Sequence, residues 1–162
     1  MRTPPRVTRA RLRELLHYDS DTGEFRWWER VGEEVRLGGV AGCIRICVEG
    51  RTYRAHQLAW LYMTGEWGRP MIDHRDGDAT NNSWSNLRQA TASQNGANVR
   101  RRRQNASGYK GVRSCRSPGR WQAEISKQGR KIHLGTFDTP EAAHAAYVEA
   151  ARRLFGEFAR PE

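Results

Sequence analysis

Long apolar stretches are missing from this 162-residue chain. No run approaches the roughly 18 residues that would cross a bilayer, and no hydrophobic signal-peptide core follows Met1. We expect no membrane partner. Cysteine is scarce, with Cys43, Cys47 and Cys115 alone. An odd number without a second close pair gives no disulfide framework and no tetrahedral cage, so no structural zinc is expected. A reducing, intracellular setting fits that usage, here the cytoplasm of a bacterial or phage-infected host cell. Lysine is almost absent: of 28 basic residues only Lys110, Lys127 and Lys131 are not arginine. Acid is thin in the second half. Residues 91–162 hold 14 basic residues against 6 acids, whereas residues 1–90 hold 14 against 12.

What is present points to packed domains that meet a polyanion. Six Trp, five Tyr and four Phe supply material for cores that a disordered chain would not carry. The net charge is +10. Between Arg100 and Lys131 there are 11 basic residues and one acid, Glu124, a block expected to attract nucleic acid. The length allows one domain or two small ones.

Local patterns divide the chain. "TRARLRELLHY" places Leu12, Leu15 and Leu16 at helical spacing after the cap Thr8. "DSDTG" reads as a turn, "EFRWWER" as a strand and "GEEVRLGG" as a loop. In "CIRICVEGRTYRAH" residues Ile44, Ile46 and Val48 share one face, and "EG" closes a hairpin. "AHQLAWLYMTG" is an amphipathic helix stopped by Gly65. "MIDH" and "NLRQA" read as short strands around the turn-rich "RDGDATNNSWS", and Thr91 caps a short helix, "ASQNGAN". The order strand, loop, strand, helix puts Asp73 and His74 at the end of the first strand. Asn86 opens the second strand and Asn95 lies on the helix.

Those residue types suit phosphodiester cleavage. An imidazole with an ordinary pKa of about 6.5 can take a proton from water. One carboxylate and one amide oxygen can hold a hard cation whose remaining ligands are water and phosphate. The stretch "DHRDGDATNNSWSNLRQATASQN" resembles the HNH endonuclease motif in the variant whose last histidine is asparagine, as in phage homing endonucleases. The resemblance implies a ββα-metal fold. It makes His74 the general base, with Asn86 holding the loop and orienting it. It makes Asp73 and Asn95 ligands of one divalent ion, Mg²⁺ first and Mn²⁺ second, and leaves a 5′-phosphate and a 3′-hydroxyl. His56, before Gln57 where arginine is common in the family, is a candidate phosphate contact.

Residues 108–162 read as three strands and a helix. "RWQAEISK" alternates Trp121, Ala123 and Ile125 against Gln122, Glu124 and Ser126. "RKIHLGTF" turns Ile132 and Leu134 inward and Lys131 and His133 outward. Thr139-Pro140-Glu141 starts a helix whose stripe is Ala143, Tyr147, Ala150 and Leu154. One sheet face is covered and the other stays polar and basic, a surface that can enter a major groove. "GYKGVRSCRSPGRWQAEISKQGRKIHLGTFDTPEAAHAAYVEAARRLFG" resembles the Apetala/ethylene-response-factor DNA-binding domain. By that resemblance Lys110, Arg113, Glu124 and Lys131 face DNA; Arg116, beside Cys115, and His133 are further DNA-binding candidates at positions where the chain departs from the family. Cys115, Ser126 and His133 replace residues usual in the family, so its target sequence does not transfer.

The expectation is an α+β chain. Residues 1–50 are a lead-in packed on the nuclease, 51–99 the HNH unit, 100–107 a basic linker in which Arg100, Arg101, Arg102 and Arg103 track phosphates, and 108–162 the DNA reader. The activity expected is metal-dependent, site-directed cleavage of double-stranded DNA by a monomer, with nicking of one strand as one form. A non-catalytic DNA-binding regulator is the alternative. An RNA-binding protein fits less well, because the sheet has no paired exposed aromatics for stacking bases.

Overall fold

The computed structural model describes residues 6–31, 34–42, 44–99 and 105–160. Cys43 and the four arginines at 100–103 lie outside the described residues. The chain forms two compact units, Met1–Gln89 and Ala90–Glu162.

In the first unit, helix α1 (Arg9–Leu15) begins where Thr8 Oγ1 accepts from the N–H of Arg11. Strands β1 (Leu16–Tyr18), β2 (Phe25–Val31) and β3 (Glu34–Val40) pair in that order, antiparallel. The third strand corrects the expected loop at "GEEVRLGG". Its alternation is short, Glu34-Val35-Arg36-Leu37 before Gly38-Gly39, and the free edge of β2 supplies the backbone partners that make it a strand. Hairpin β4 (Arg45–Val48) and β5 (Arg51–Arg54) follows, closed at Glu49-Gly50. Of its expected inward residues Ile46 and Val48 are buried; Ile44, just ahead of β4, is exposed. Helix α2 (Ala55–Thr64) ends at Gly65 in a left-handed conformation, whose N–H bonds Leu61 O. One core joins these elements through Leu12, Leu16, Phe25, Ile46, Val48 and Leu58.

Strands β6 (Met71–His74) and β7 (Leu87–Ala90) form a two-stranded sheet, and helix α3 (Ala92–Asn98) follows, completing the ββα order. The boundary between the compact units falls inside β7, so α3 belongs to the second unit. Thr91 and Gln94 make a reciprocal capping box at the start of α3.

The second unit holds the antiparallel sheet β8 (Val112–Ser114), β9 (Trp121–Lys127) and β10 (Arg130–Phe137), with β9 central. Helix α4 (Pro140–Phe155) starts at the Thr139 cap with Pro140 in its first turn. It covers one sheet face with Ala143, Tyr147, Ala150, Ala151 and Phe155. The fit is close. A Cβ on Gly111, which has φ +74°, would lie 2.0 Å from the Tyr147 ring, so both conformation and space demand glycine. Ile132 departs from expectation and is 38 % exposed. It sits on edge strand β10 near the hairpin tip, opposite Ile125, and the register slips between His133 and Gly135.

Helix α3 packs in this same core. Ala90 and Ala97 join Ile125, Tyr147, Ala150, Phe155 and Phe158. The Lys110 ammonium donates to the carbonyls of Ala97, Val99 and Arg160, each at 2.6 Å. The N–H of Gln128 donates to Ser93 Oγ at 3.0 Å.

Candidate active site and DNA-reading face

The loop between β6 and β7 is built on side-chain bonds. Asp76 is its hub. Its Oδ1 accepts from Asn86 Nδ2 at 2.9 Å and from the N–H of Asp78 at 2.8 Å, and its Oδ2 accepts from Asn81 Nδ2 at 2.7 Å. Burial pushes the Asp76 carboxyl upward, but these donors together leave it below the usual carboxylate range. Asn86 also accepts from the N–H of Asp76 and donates to Asn81 O. Its backbone carbonyl accepts from the N–H of Arg75 across the mouth of the loop. The lead-in grips the loop from outside. Tyr18 Oη donates to Asn82 O at 2.6 Å, and Trp84 N–H donates to Ser20 O. Gly23 lies against the backbone of Asn82 and Ser83, where a Cβ would come within 2.3 Å.

His74 closes β6 and is 8 % exposed. Its Nε2 lies 3.1 Å from Oδ1 of fully buried Asn82. Asn82 Nδ2 donates to Thr80 O, which turns its oxygen toward the imidazole. Nε2 therefore carries the hydrogen, and Nδ1 has the basic lone pair. Sequence reasoning assigned the orienting role to Asn86 and missed Asn82 and Asp76. In "DGDATNN" every polar residue has an ordinary turn role, and no local signal separates the one that meets the histidine.

Asp73, beside His74, is 5 % exposed, and its Oδ2 accepts from Arg88 Nε at 3.0 Å. Arg88 on β7 is 6 % exposed, so this is a buried ion pair. An arginine in so polar a stretch would ordinarily be a solvated charge; here the structure buries it. Among the described residues no three or more His, Cys, Asp or Glu side chains gather as a metal cluster. The Asp73 carboxylate offers the oxygen chemistry of a hard cation whose shell is completed by water and phosphate. Asn95 is half-buried on α3 in the second unit, its N–H bonded to Thr91 O.

His56 opens α2, half-buried, and meets the His74 ring edge-on at 4.9 Å. Burial, then the neighbouring His74 and Arg54, pull its pKa down to about 4. It brings no charge to a phosphate at neutral pH. The unfolded side chain titrates near 6.5, so as pH falls from about 6.5 to about 4 the unfolded chain binds the proton first and stability is lost. Allowing for partial exposure, the loss is on the order of 2 kcal/mol. His56→Gln should flatten this acid limb in urea melts taken across the window. A variant as acid-sensitive as the wild type would reject the assignment.

On the second unit's open sheet face, Arg113 Nε and Nη2 donate to Glu124 Oε2 and Oε1 at 3.1 and 2.9 Å. The Arg113 hydrogen bond, the largest cause, outweighs desolvation and helps hold the Glu124 carboxyl below its usual range. His133 Nδ1 accepts from Gln122 Nε2 at 2.6 Å. Lys131 and Arg116 are exposed. Lys110 does not join this face. Its ammonium is spent on three carbonyls at the end of α3 and the C-terminal segment, where burial, then Arg160, lower its pKa to about 8.

A family model described as HNH endonuclease matches residues 53–97. A second, AP2 domain, matches residues 107–157. Protein 3.8 of Escherichia phage T7 is 32% identical over 108 residues, covering 66% of this chain and 88% of the phage protein. The chain belongs to the HNH endonuclease family and carries an AP2 domain. Its HNH segment is also similar to a protein named Uncharacterized HNH endonuclease L560 of Acanthamoeba polyphaga mimivirus. The two are 39% identical over 90 residues, 56% of this chain and 46% of the relative, so the chain spans less than half of the mimivirus protein. The AP2 segment is 52% identical over 50 residues to Dehydration-responsive element-binding protein 2D of Arabidopsis thaliana, 30% of this chain and 24% of that protein. The HNH match includes Asp73, His74, Asn86 and Asn95, and the AP2 match includes every residue named on the open sheet face.

Proposed function

We propose that the chain is a metal-dependent, site-directed DNA endonuclease. The observation that carries this reading is the imidazole of His74, held through Nε2 by Asn82 beside the Asp73 carboxylate, within the HNH match. His74 Nδ1 takes the proton of the attacking water. Asn82 keeps the basic nitrogen in one tautomer, and Asn86 with Asp76 keeps the loop in shape. Asp73 and, by the motif, Asn95 are the oxygen donors for one divalent ion, Mg²⁺ or Mn²⁺. When bound, that ion supplies positive charge to the scissile phosphate and the leaving 3′-oxygen. The AP2 domain chooses the site, docking its open sheet face in the major groove. The enzyme acts as a monomer on duplex DNA inside the cell that holds its target.

Selection of cleaved sites from a random plasmid library, with Mg²⁺ and with EDTA, tests the reading. Sites recovered only with the metal support it. A library left intact by protein that still footprints DNA supports the second reading, a DNA-binding regulator. That alternative is favoured by the Asp73–Arg88 pair, in which a guanidinium occupies an oxygen the cation would want.

The reader is tested separately. If Arg113 exchanges its Glu124 partner for a bidentate guanine contact, Arg113→Ala weakens specific binding by about 1–3 kcal/mol and relaxes one base position. Titration of the selected duplex and of single-base variants reads both effects. An unaltered affinity and preference would remove Arg113 from base reading.

A further inference from the structure

The first unit carries an open groove of about 740 Å³ that no residue of the 71–97 strand–loop–helix stretch lines. Arg6, Arg45, Arg51, Arg54 and Arg69 line it together with Trp67, and among the described residues no acid does. The clustering is local, because residues 1–90 are nearly balanced in charge. Arg45 and Arg54 are register partners on the exposed face of the β4–β5 hairpin. Like charges directly opposite each other in an antiparallel pair are destabilising, and a bound polyanion reverses that cost.

The aromatics show how such a polyanion is recognised. Tyr53 stacks on Trp67 with centroids 5.5 Å apart and planes at 22°. The Arg6 guanidinium lies over Trp67 at 5.2 Å, and Arg51 lies over Tyr53 at 5.7 Å. Tyr53 is buried, and its hydroxyl accepts from the N–H of Val7. The rings hold arginines in place and offer no open platform for stacking a base. The groove therefore presents fixed cations at the surface, which is the chemistry of a phosphate backbone contact.

We propose that this groove is a second DNA-binding surface, separate from the AP2 sheet, which clamps the sugar–phosphate backbone of the duplex without reading sequence. The proposal rests on the nuclease reading for the choice of duplex DNA, but its test needs no cleavage. Binding of the full chain to a short non-cognate duplex is followed against salt concentration in EDTA. Arg45→Gln with Arg54→Gln should lower the salt slope by about 2, at about 0.9 per released phosphate contact, and Arg69→Gln by about 1. Arg45→Lys with Arg54→Lys should keep the slope, since a point charge serves a phosphate. A wild-type slope in a folded Gln pair overturns the proposal. If circular dichroism shows that pair unfolded, the Arg69→Gln slope decides. Single-stranded DNA bound more tightly than duplex, with the preference abolished by the Gln pair, would also overturn it. Wild-type protein that cleaves, with unchanged slopes in the variants, removes the groove alone. Protein that never cleaves, with the slopes lowered, removes the nuclease reading alone.

Discussion

His74→Ala should reduce metal-dependent cleavage of a target plasmid by about 10²–10⁴-fold, the span that a positioned general base contributes. DNA binding in EDTA should be unchanged, because His74 is buried. Asn82→Ala gives a second, graded measurement. It removes the acceptor facing Nε2 and keeps the imidazole, so it should lower the rate less than loss of the ring does. Urea melts and circular dichroism of both variants separate this from simple unfolding, since a loss of chemistry leaves the melt and the spectrum of the wild type in place. Wild-type cleavage by His74→Ala would end the assignment of the base.

Arg88→Ala should destabilise the first unit by about 3–5 kcal/mol, since it strips a buried carboxylate of its guanidinium. Both side chains are almost wholly removed from water, so solvent cannot screen the loss as it would for an exposed pair. Replacing Asp73 and Arg88 together by apolar residues should cost far less, because no buried charge is then left behind. Urea melts of the two singles and the double form a mutant cycle that isolates the coupling. Additive singles and double would place the pair in contact with water in solution. Lysine in place of Arg88 is a further control. It keeps the charge and forfeits the planar geometry, so it should fall between wild type and alanine.

Much of this fold was legible in local signals. Thr8, Thr91 and Thr139 mark three helix starts, and all three accept the expected backbone hydrogen bond. Gly65 and Gly156 stop the helices that precede them. These features are written within one turn of chain, where residue type decides conformation. The strand at Glu34–Val40 was hard to read, because its alternation stops after four residues at Gly38-Gly39 and it is completed by pairing with β2. The candidate site divides the same way. His74, Asp73 and Asn86 stand out by type and order. Asn82 and Arg88 matter through distances of 3.1 and 3.0 Å that a polar loop sequence does not encode. Lys110 is one more cation in a basic block, yet two carbonyls at the end of α3 and one near residue 160 surround its ammonium. The tertiary hydrogen bonds overrode the composition.

The seating of α3 bears on how such a protein can be recombined. A chimaera that kept residues 1–107 and received a foreign reader would inherit the helix bearing Asn95 without Phe155, Phe158 or Lys110 to hold it. The natural splice point for exchanging specificities thus lies upstream of Ala90, and a graft that respects it must carry Asn95, the last residue of the HNH signature, along with the new reader.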